Sequence, residues 1–107
     1  MTKKELQKHE NFLVIDTMAF AMEEFHNSAR ENITLNRLRS CTAWVYETDN
    51  YYILKSYNTF IACVDKSTGV TYDALRYAYG YTSTSAQHIS KFTHDYGNGK
   101  RYTFRKV

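Results

Sequence analysis

The stretch that decides the fold runs from residue 42 to residue 64 and reads TAWVYETDNYYILKSYNTFIACV. β-Branched and aromatic residues, which favour strands, dominate it, and Asp49-Asn50 interrupts it with residues that favour turns. Asn58 offers a second turn, between the return strand Tyr51–Tyr57 and the segment Thr59–Val64. That segment is almost entirely apolar, as expected for a central strand covered on both faces. The stretch therefore predicts three strands of a β-meander.

Two further strands are predicted after the meander. Gly69 can adopt the positive φ that a tight turn needs, and Val70–Asp73 then begins a fourth strand. The segment Lys100–Val107 alternates between basic or polar residues and aromatic residues, which is typical of an edge strand. The alternation places Arg101, Thr103 and Arg105 on one side of this strand and Tyr102 and Phe104 on the other.

Two segments fit more than one structure. Leu35 and Leu38 favour a short helical turn within Ile33–Ser40, but a strand that starts at Ile33 fits equally. Ala74–Tyr79 fits either a continuation of the fourth strand or a helix.

The N-terminal segment predicts one long helix. Thr2 and Glu5 have the spacing of a capping box, and the helix ends near Asn27-Ser28 or Glu31-Asn32. Apolar residues recur along it at helical spacing and predict the face that packs in the core: Leu6, Phe12, Leu13, Ile15, Met18, Ala19, Met22 and Phe25. The predicted polar face carries Lys8, Asn11, Asp16, Glu23 and Glu24.

A second, shorter helix is predicted from about Thr84. Thr84–Gln87 matches a capping box, and Gly97 stands where a left-handed residue would end the helix. Ile89, Phe92 and Tyr96 share one face. The opposite, solvated face is predicted to carry Gln87, His88, Lys91, His94 and Asp95.

These elements predict an α+β fold in a single domain of residues 1–107. A long N-terminal helix packs on a mostly antiparallel, four- to five-stranded sheet, and a second short helix precedes the last strand. The longest apolar run near the N-terminus is too short for a secretory signal, and no run reaches the length of a membrane span. We therefore expect a cytoplasmic protein, in the cytoplasm of the host cell, without a membrane partner.

Charge is distributed unevenly along the chain. Residues 50–107 carry eight Lys or Arg against three Asp, whereas the first 49 residues carry six bases against eight acids. The formal charges of the two halves are therefore +5 and −2. Ten tyrosines, most of them in the basic half, favour binding of a large anionic or mixed-polarity partner.

The sequence lacks the motifs of an assembled catalytic site. Neither a nucleophile-elbow pattern nor a glycine-rich phosphate loop is present, although Cys63 could meet His88 or His94 in the fold. A zinc site built from Cys41, Cys63, His88 and His94 stays open, but these residues lack close ligand spacing. We expect no enzyme activity and no cofactor.

Binding is the predicted mode of action. The predicted partner-binding residues are Arg76, Tyr81, His88, Lys91, Lys100, Arg101 and Arg105. A basic patch of this kind suits nucleic-acid phosphates, while Tyr and Arg are also typical anchors of protein interfaces. The C-terminal edge strand offers a further route, since it could pair with a partner or with a second copy to form a homodimer.

Part of the chain resembles a family of small proteins carried by bacteriophages and mobile elements of Gram-positive bacteria. The resemblance covers about residues 50–97 and rests on Ser56–Ala62, Asp65-Lys66, Gly69, Tyr72–Arg76 and Tyr79–Phe92. It implies a counter-defence role, such as inhibition of a CRISPR nuclease complex (an anti-CRISPR protein). The resemblance and the predicted binding surface together favour a non-enzymatic inhibitor that blocks a host defence nuclease. The alternative is a small basic DNA- or RNA-binding regulator.

Overall fold

The structure is a computed structural model, and it describes residues 2–27, 34–37, 42–78 and 82–106. Three helices and six strands follow one another within the described residues. In order they are α1 (Lys3–Asn27), β1 (Thr34–Arg37), β2 (Ala43–Glu47), β3 (Tyr51–Ser56), β4 (Thr59–Asp65), β5 (Thr71–Asp73), α2 (Leu75–Ala78), α3 (Ser83–Tyr96) and β6 (Arg101–Thr103). The predicted α+β class is confirmed.

The strands form one sheet in the order β1-β2-β3-β4-β5-β6. All neighbours are antiparallel except β5 and β6, which are parallel because α2 and α3 cross over one face of the sheet between them. The five strands that the sequence predicted are all present, and the described sheet has one more. The undecided segment before the meander contributes β1, which pairs along β2 from Thr34 opposite Glu47 to Arg37 opposite Trp44. Leu75–Ala78 of the other undecided segment forms α2, and Tyr79 lies outside the described residues.

Both faces of the sheet are covered, as the apolar sequence of β4 predicted. A bulge lies in β4, where Leu54 pairs with Ala62 but Lys55 pairs with Phe60. The extra residue turns Ile61 and Ala62 toward α3, while Phe60 and Cys63 face α1. The core on the α3 side contains Ala43, Val45, Leu54, Ile61, Ala62, Val64, Leu75, Ile89 and Phe92. The core on the α1 side contains Val14, Met18, Ala21, Ile53, Cys63 and Ala74.

Helix α1 begins as predicted but buries a narrower face. The Glu5 amide donates to Thr2 Oγ1 at 3.1 Å and the Thr2 amide donates to Glu5 Oε1 at 3.3 Å, which is the expected capping box. The sequence wrongly placed three residues of this helix in the core, because Leu6, Phe12 and Ala19 are exposed. The buried positions of the helix are Asn11, Val14, Met18 and Ala21, which follow the i, i+3, i+7, i+10 spacing of one face.

Helix α3 differs from its prediction at both ends. Its N-cap is Thr82, whose Oγ1 accepts from the Ser85 amide at 3.2 Å, so the predicted capping box at Thr84 was two residues late. Gly97 is extended, with φ of −99°, and not left-handed as predicted. Glycine is needed there for space, because a Cβ would lie 2.7 Å from Thr71 Oγ1 and 3.0 Å from the Thr93 carbonyl oxygen. Gly69 does adopt the expected positive φ of 77°.

Side chains of α1 occupy the outer backbone edge of β6. The Thr103 amide donates to Glu10 Oε2 at 2.8 Å, and Gln7 Nε2 donates to the Thr103 carbonyl at 3.0 Å. The Arg105 amide donates to Asn11 Oδ1 at 2.9 Å, and Asn11 Nδ2 donates to the Arg105 carbonyl at 2.6 Å. Helix side chains thus take the hydrogen-bonding positions of a seventh strand. The predicted open edge for pairing with a partner or a second copy is filled at these four backbone groups.

Among the described residues, no helix is both long enough and apolar enough to cross a bilayer.

The hydrogen bonds of Asn11 should contribute measurably to stability. We expect Asn11→Ala to lower the free energy of unfolding by about 2 kcal/mol, because two backbone groups of Arg105 lose their partners at a partly buried edge. Urea denaturation of the purified variants measures this. The matched control is Lys8→Ala on the exposed side of α1, for which a change within about 0.5 kcal/mol is expected. Equal stability of the two variants would contradict the assigned role of Asn11.

Candidate functional site: an arginine pocket on the α3 face

Three of the predicted partner-binding residues, Arg76, Arg101 and Arg105, line one pocket. The pocket has a volume of 210 Å³ and lies between α3, the start of α2 and the C-terminal strand β6. Its other lining residues are Asp73, Leu75, Ala86, Ser90 and Thr103. We call this site the arginine pocket.

The parallel pairing of β5 and β6 assembles the arginine pocket. Thr103 lies opposite Asp73 in the register, so side chains from both strands point to the α3 face at the same level of the sheet. Arg101 and Arg105 share that face with Thr103, as their alternation in sequence predicted. Arg76 joins them because the chain leaves β5 at Asp73 and turns at once into α2.

Asp73 lies at the base of the arginine pocket and is only 6% exposed. Its Oδ1 accepts a hydrogen bond from the Leu75 amide at 3.0 Å, which fixes the carboxylate at the start of α2. Burial is the largest influence on Asp73 and raises the pKa of its carboxyl group. The Leu75 amide and the charges of Arg101, Arg76 and Arg105 act in the opposite direction. The Asp73 carboxylate therefore interacts with the three arginines through their charges, without a direct ion pair to Arg101 or Arg105 among the described residues.

This arrangement can hold an oxyanion. Guanidinium groups donate paired hydrogen bonds to phosphate and carboxylate oxygens, and they stay charged at any physiological pH. The hydroxyl groups of Ser90 and Thr103 add donors to the same pocket. Arg101 and Arg105 are exposed, and among the described residues no carboxylate oxygen lies within 4.0 Å of either guanidinium.

The other predicted cationic residues lie elsewhere. Lys91 is on α3, with its Nζ 3.2 Å from Asp95 Oδ1. The Nζ of Lys100 lies 5.4 Å from the centroid of the Tyr102 ring, and that ring packs on the α1 side of the sheet. Tyr81 falls outside the described residues. The sequence thus identified three residues of the arginine pocket, and it missed Asp73, Ser90 and Thr103 as members.

Exposed tyrosine is scarcer than the sequence suggested. Of the tyrosines that the structure describes, only Tyr57 and Tyr77 are classed as exposed. Six others are half-buried against the sheet: Tyr46, Tyr51, Tyr52, Tyr72, Tyr96 and Tyr102. Among the described residues, arginine therefore contributes more than tyrosine to the accessible surface of the basic half of the chain.

His88 was wrongly predicted to face solvent and a partner. It is only 6% exposed, because α3 turns it toward the sheet beside β3. Its Nδ1 lies 2.9 Å from Ser56 Oγ, and that hydroxyl lies 3.0 Å from Ser85 Oγ. Both serines are fully buried, so this Ser–Ser–His group satisfies polar atoms within the core and offers no accessible nucleophile.

The cysteine that the structure describes cannot meet His88. Cys63 is buried on the α1 side of the sheet, and His88 lies on the α3 side. Burial also raises the pKa of the Cys63 thiol, which disfavours the reactive thiolate. Cys41 lies outside the described residues, and within them no group of three or more His, Cys, Asp or Glu is placed to hold a metal ion.

Burial lowers the pKa of His88, and this gives a pH prediction. The unfolded chain, with a His pKa of about 6.5, binds the proton more tightly than the folded chain does. Neutral His88 therefore stabilises the fold fully above the pKa of the unfolded state. This contribution is lost as the pH falls through the lower pKa of His88 in the folded state. We expect the free energy of unfolding to decrease between about pH 7 and 5, and to decrease less in His88→Gln.

Urea denaturation across this pH range measures the effect. His9→Gln is the matched control, because His9 is exposed on α1. A pH dependence that His88→Gln leaves unchanged would contradict the assignment.

The comparison with protein families gives one match, to a family of unknown function (DUF8033), over residues 22–106. The match includes the whole arginine pocket and all six strands, and it begins within the last two turns of α1. Neither the comparison with curated proteins nor that with solved structures gives a significant match. Since the match covers well over half of its length, the chain belongs to the family of unknown function DUF8033.

Proposed function

We propose that this protein is a non-enzymatic binding protein that recognises the phosphate backbone of a nucleic acid through the arginine pocket. One observation carries the proposal: Arg76, Arg101 and Arg105 converge on a single pocket. Three guanidinium groups over one buried carboxylate leave a net positive site, which suits a phosphate diester. The protein would act in the cytoplasm, as its sequence predicts.

The residues around β6 extend the positive surface beyond the pocket. Lys100, Arg101, Arg105 and Lys106 are all exposed, and they follow one another within seven residues of chain. Arg101 and Arg105 face the arginine pocket, whereas Lys100 lies against Tyr102 on the α1 side of the sheet, so these residues do not form one row on a single face. The small number of cations on the pocket side and the modest net charge of +3 favour weak, sequence-independent contacts over base-specific recognition.

We expect the double variant Arg101→Ala/Arg105→Ala to bind nucleic acid at least tenfold more weakly. Each arginine that contacts a phosphate displaces about one counterion, so the slope of log K against log salt should fall by about two. Fluorescence anisotropy with 20-nucleotide single-stranded DNA, duplex DNA and RNA, from about 50 to 200 mM salt, measures both quantities.

The matched control is Lys3→Ala/Lys4→Ala, which removes the same charge from the exposed start of α1. Equal weakening by the two double variants would show that only net charge matters. Absence of binding by the wild-type protein to all three nucleic acids at low salt would refute the proposal.

A second candidate function is inhibition of a host defence nuclease, such as a CRISPR effector. The resemblance of residues 50–97 to phage-borne proteins suggests it, and an apolar pocket of 470 Å³ favours a protein partner. This pocket lies between α1, the β3–β4 turn and α2, with Met18, Phe60 and Tyr77 in its lining. Tyr77 is 57% exposed at its margin, where an aromatic ring would serve as an interface anchor.

Pull-down and cleavage assays with candidate CRISPR effectors test this second function. We expect a stable complex that persists at high salt and slows target cleavage, and Tyr77→Ala should weaken it at least tenfold. Tyr57→Ala is the matched control, because Tyr57 is an exposed tyrosine in the β3–β4 turn outside the pocket lining. Undiminished cleavage at saturating protein would argue against inhibition of the effectors tested.

A further inference from the structure

The outer side of α1 exposes large apolar side chains that the core does not use. Leu6 is 53% exposed, Phe12 is 63% exposed and Phe20 is 56% exposed. They are three of the five large hydrophobic residues that are exposed in the described part of the chain. Phe12 and Phe20 lie opposite the buried face of the helix and Leu6 lies on its flank, so folding of the domain leaves all three in water.

These side chains belong to a regular stripe. At 100° per residue, Glu5, His9, Phe12, Asp16, Phe20 and Glu23 fall within an arc of about 80°. All six are exposed. The stripe follows the helix for about 27 Å, with Leu6 and Leu13 along one side of it. We call these six residues and the two leucines the α1 stripe.

The α1 stripe is acidic as well as apolar. Glu5, Asp16 and Glu23 alternate with the two phenyl rings, and His9 is the only basic side chain among them. Within the described residues, Asp16 and Glu23 take part in no hydrogen bond or ion pair. Glu5 bonds only to the adjacent Thr2. The carboxylates are therefore available to a partner from outside the chain.

We propose that the α1 stripe is a docking surface for a basic amphipathic helix of a partner protein. The apolar side chains of such a helix would cover Phe12, Phe20 and Leu6, and its Lys or Arg residues would pair with the three carboxylates. The same charges disfavour two other occupants. An anionic lipid surface would be repelled, and a second copy would bring one acidic stripe against another.

This surface is independent of the arginine pocket. The α1 stripe lies beyond the α1 side of the sheet, and the arginine pocket lies on the α3 side. The protein then presents an acidic, apolar surface on one side and a cationic pocket on the other. Such a molecule can bind two partners of opposite charge at once.

The experiment uses the full chain and a 14-residue Leu/Lys helical peptide, LKKLLKLLKKLLKL, labelled with fluorescein. A peptide of the same composition, with its leucines spread around the helix, is the first control. We expect anisotropy to report saturable binding of the amphipathic peptide only. Phe12→Ser/Phe20→Ser should weaken that binding at least tenfold, and Asp16→Asn should weaken it about two- to fivefold.

Matched variants test whether the effect belongs to the stripe. Tyr57→Ser removes an exposed ring outside the stripe and outside the apolar pocket, and Asp49→Asn removes an exposed carboxylate in the β2–β3 turn. Both should bind the peptide as the wild type does, with unchanged circular dichroism.

Three outcomes would overturn the proposal. The first is that the wild-type protein fails to bind the amphipathic peptide, or binds both peptides equally. The second is that the matched variants weaken binding as much as the stripe variants do. The third is that Phe12 and Phe20 prove necessary for self-association in sedimentation experiments, or for binding to phosphatidylglycerol vesicles, in place of peptide binding.

Discussion

The contact between α1 and the outer edge of β6 is the interaction on which the rest of the structure depends. Gln7, Glu10 and Asn11 satisfy both backbone groups of Thr103 and of Arg105. Without these partners, a three-residue strand at the end of the chain would present an open edge to water. Because the contact fixes β6 in register beside β5, it also fixes Arg101 and Arg105 next to Arg76.

The contact links the two halves of the chain, whose formal charges are −2 and +5. The acidic residues of the α1 stripe lie on one outer side, and the arginine pocket lies across the sheet from them. The DUF8033 match begins at Met22, so the side chains that cover the β6 edge precede the matched region. The matched residues alone would leave the outer backbone groups of Thr103 and Arg105 without these partners.

Alternation along β6 was readable in the sequence because the side-chain period of a strand is two, and it correctly placed Arg101 and Arg105 on one face. The meander was readable because β-branched and aromatic residues dominate it and turn-favouring residues interrupt it. The buried face of helix α1 was harder to predict, since apolar residues lie on both of its sides and the tertiary contacts of Asn11 show which side is buried.

The burial of His88 follows from Ser56 on a distant strand, which no local pattern reveals. The parallel crossover that brings Asp73 to the arginines is likewise non-local.

Amide hydrogen exchange, followed residue by residue by NMR, tests the α1–β6 contact most directly. The Phe104 amide donates to the Asp73 carbonyl inside the sheet, whereas the Thr103 and Arg105 amides point outward to Glu10 and Asn11. If α1 covers the edge, all three amides exchange slowly, and Asn11→Ala selectively accelerates exchange at Arg105. Rapid exchange at Thr103 and Arg105 in the wild-type protein, beside a protected Phe104, would contradict the account.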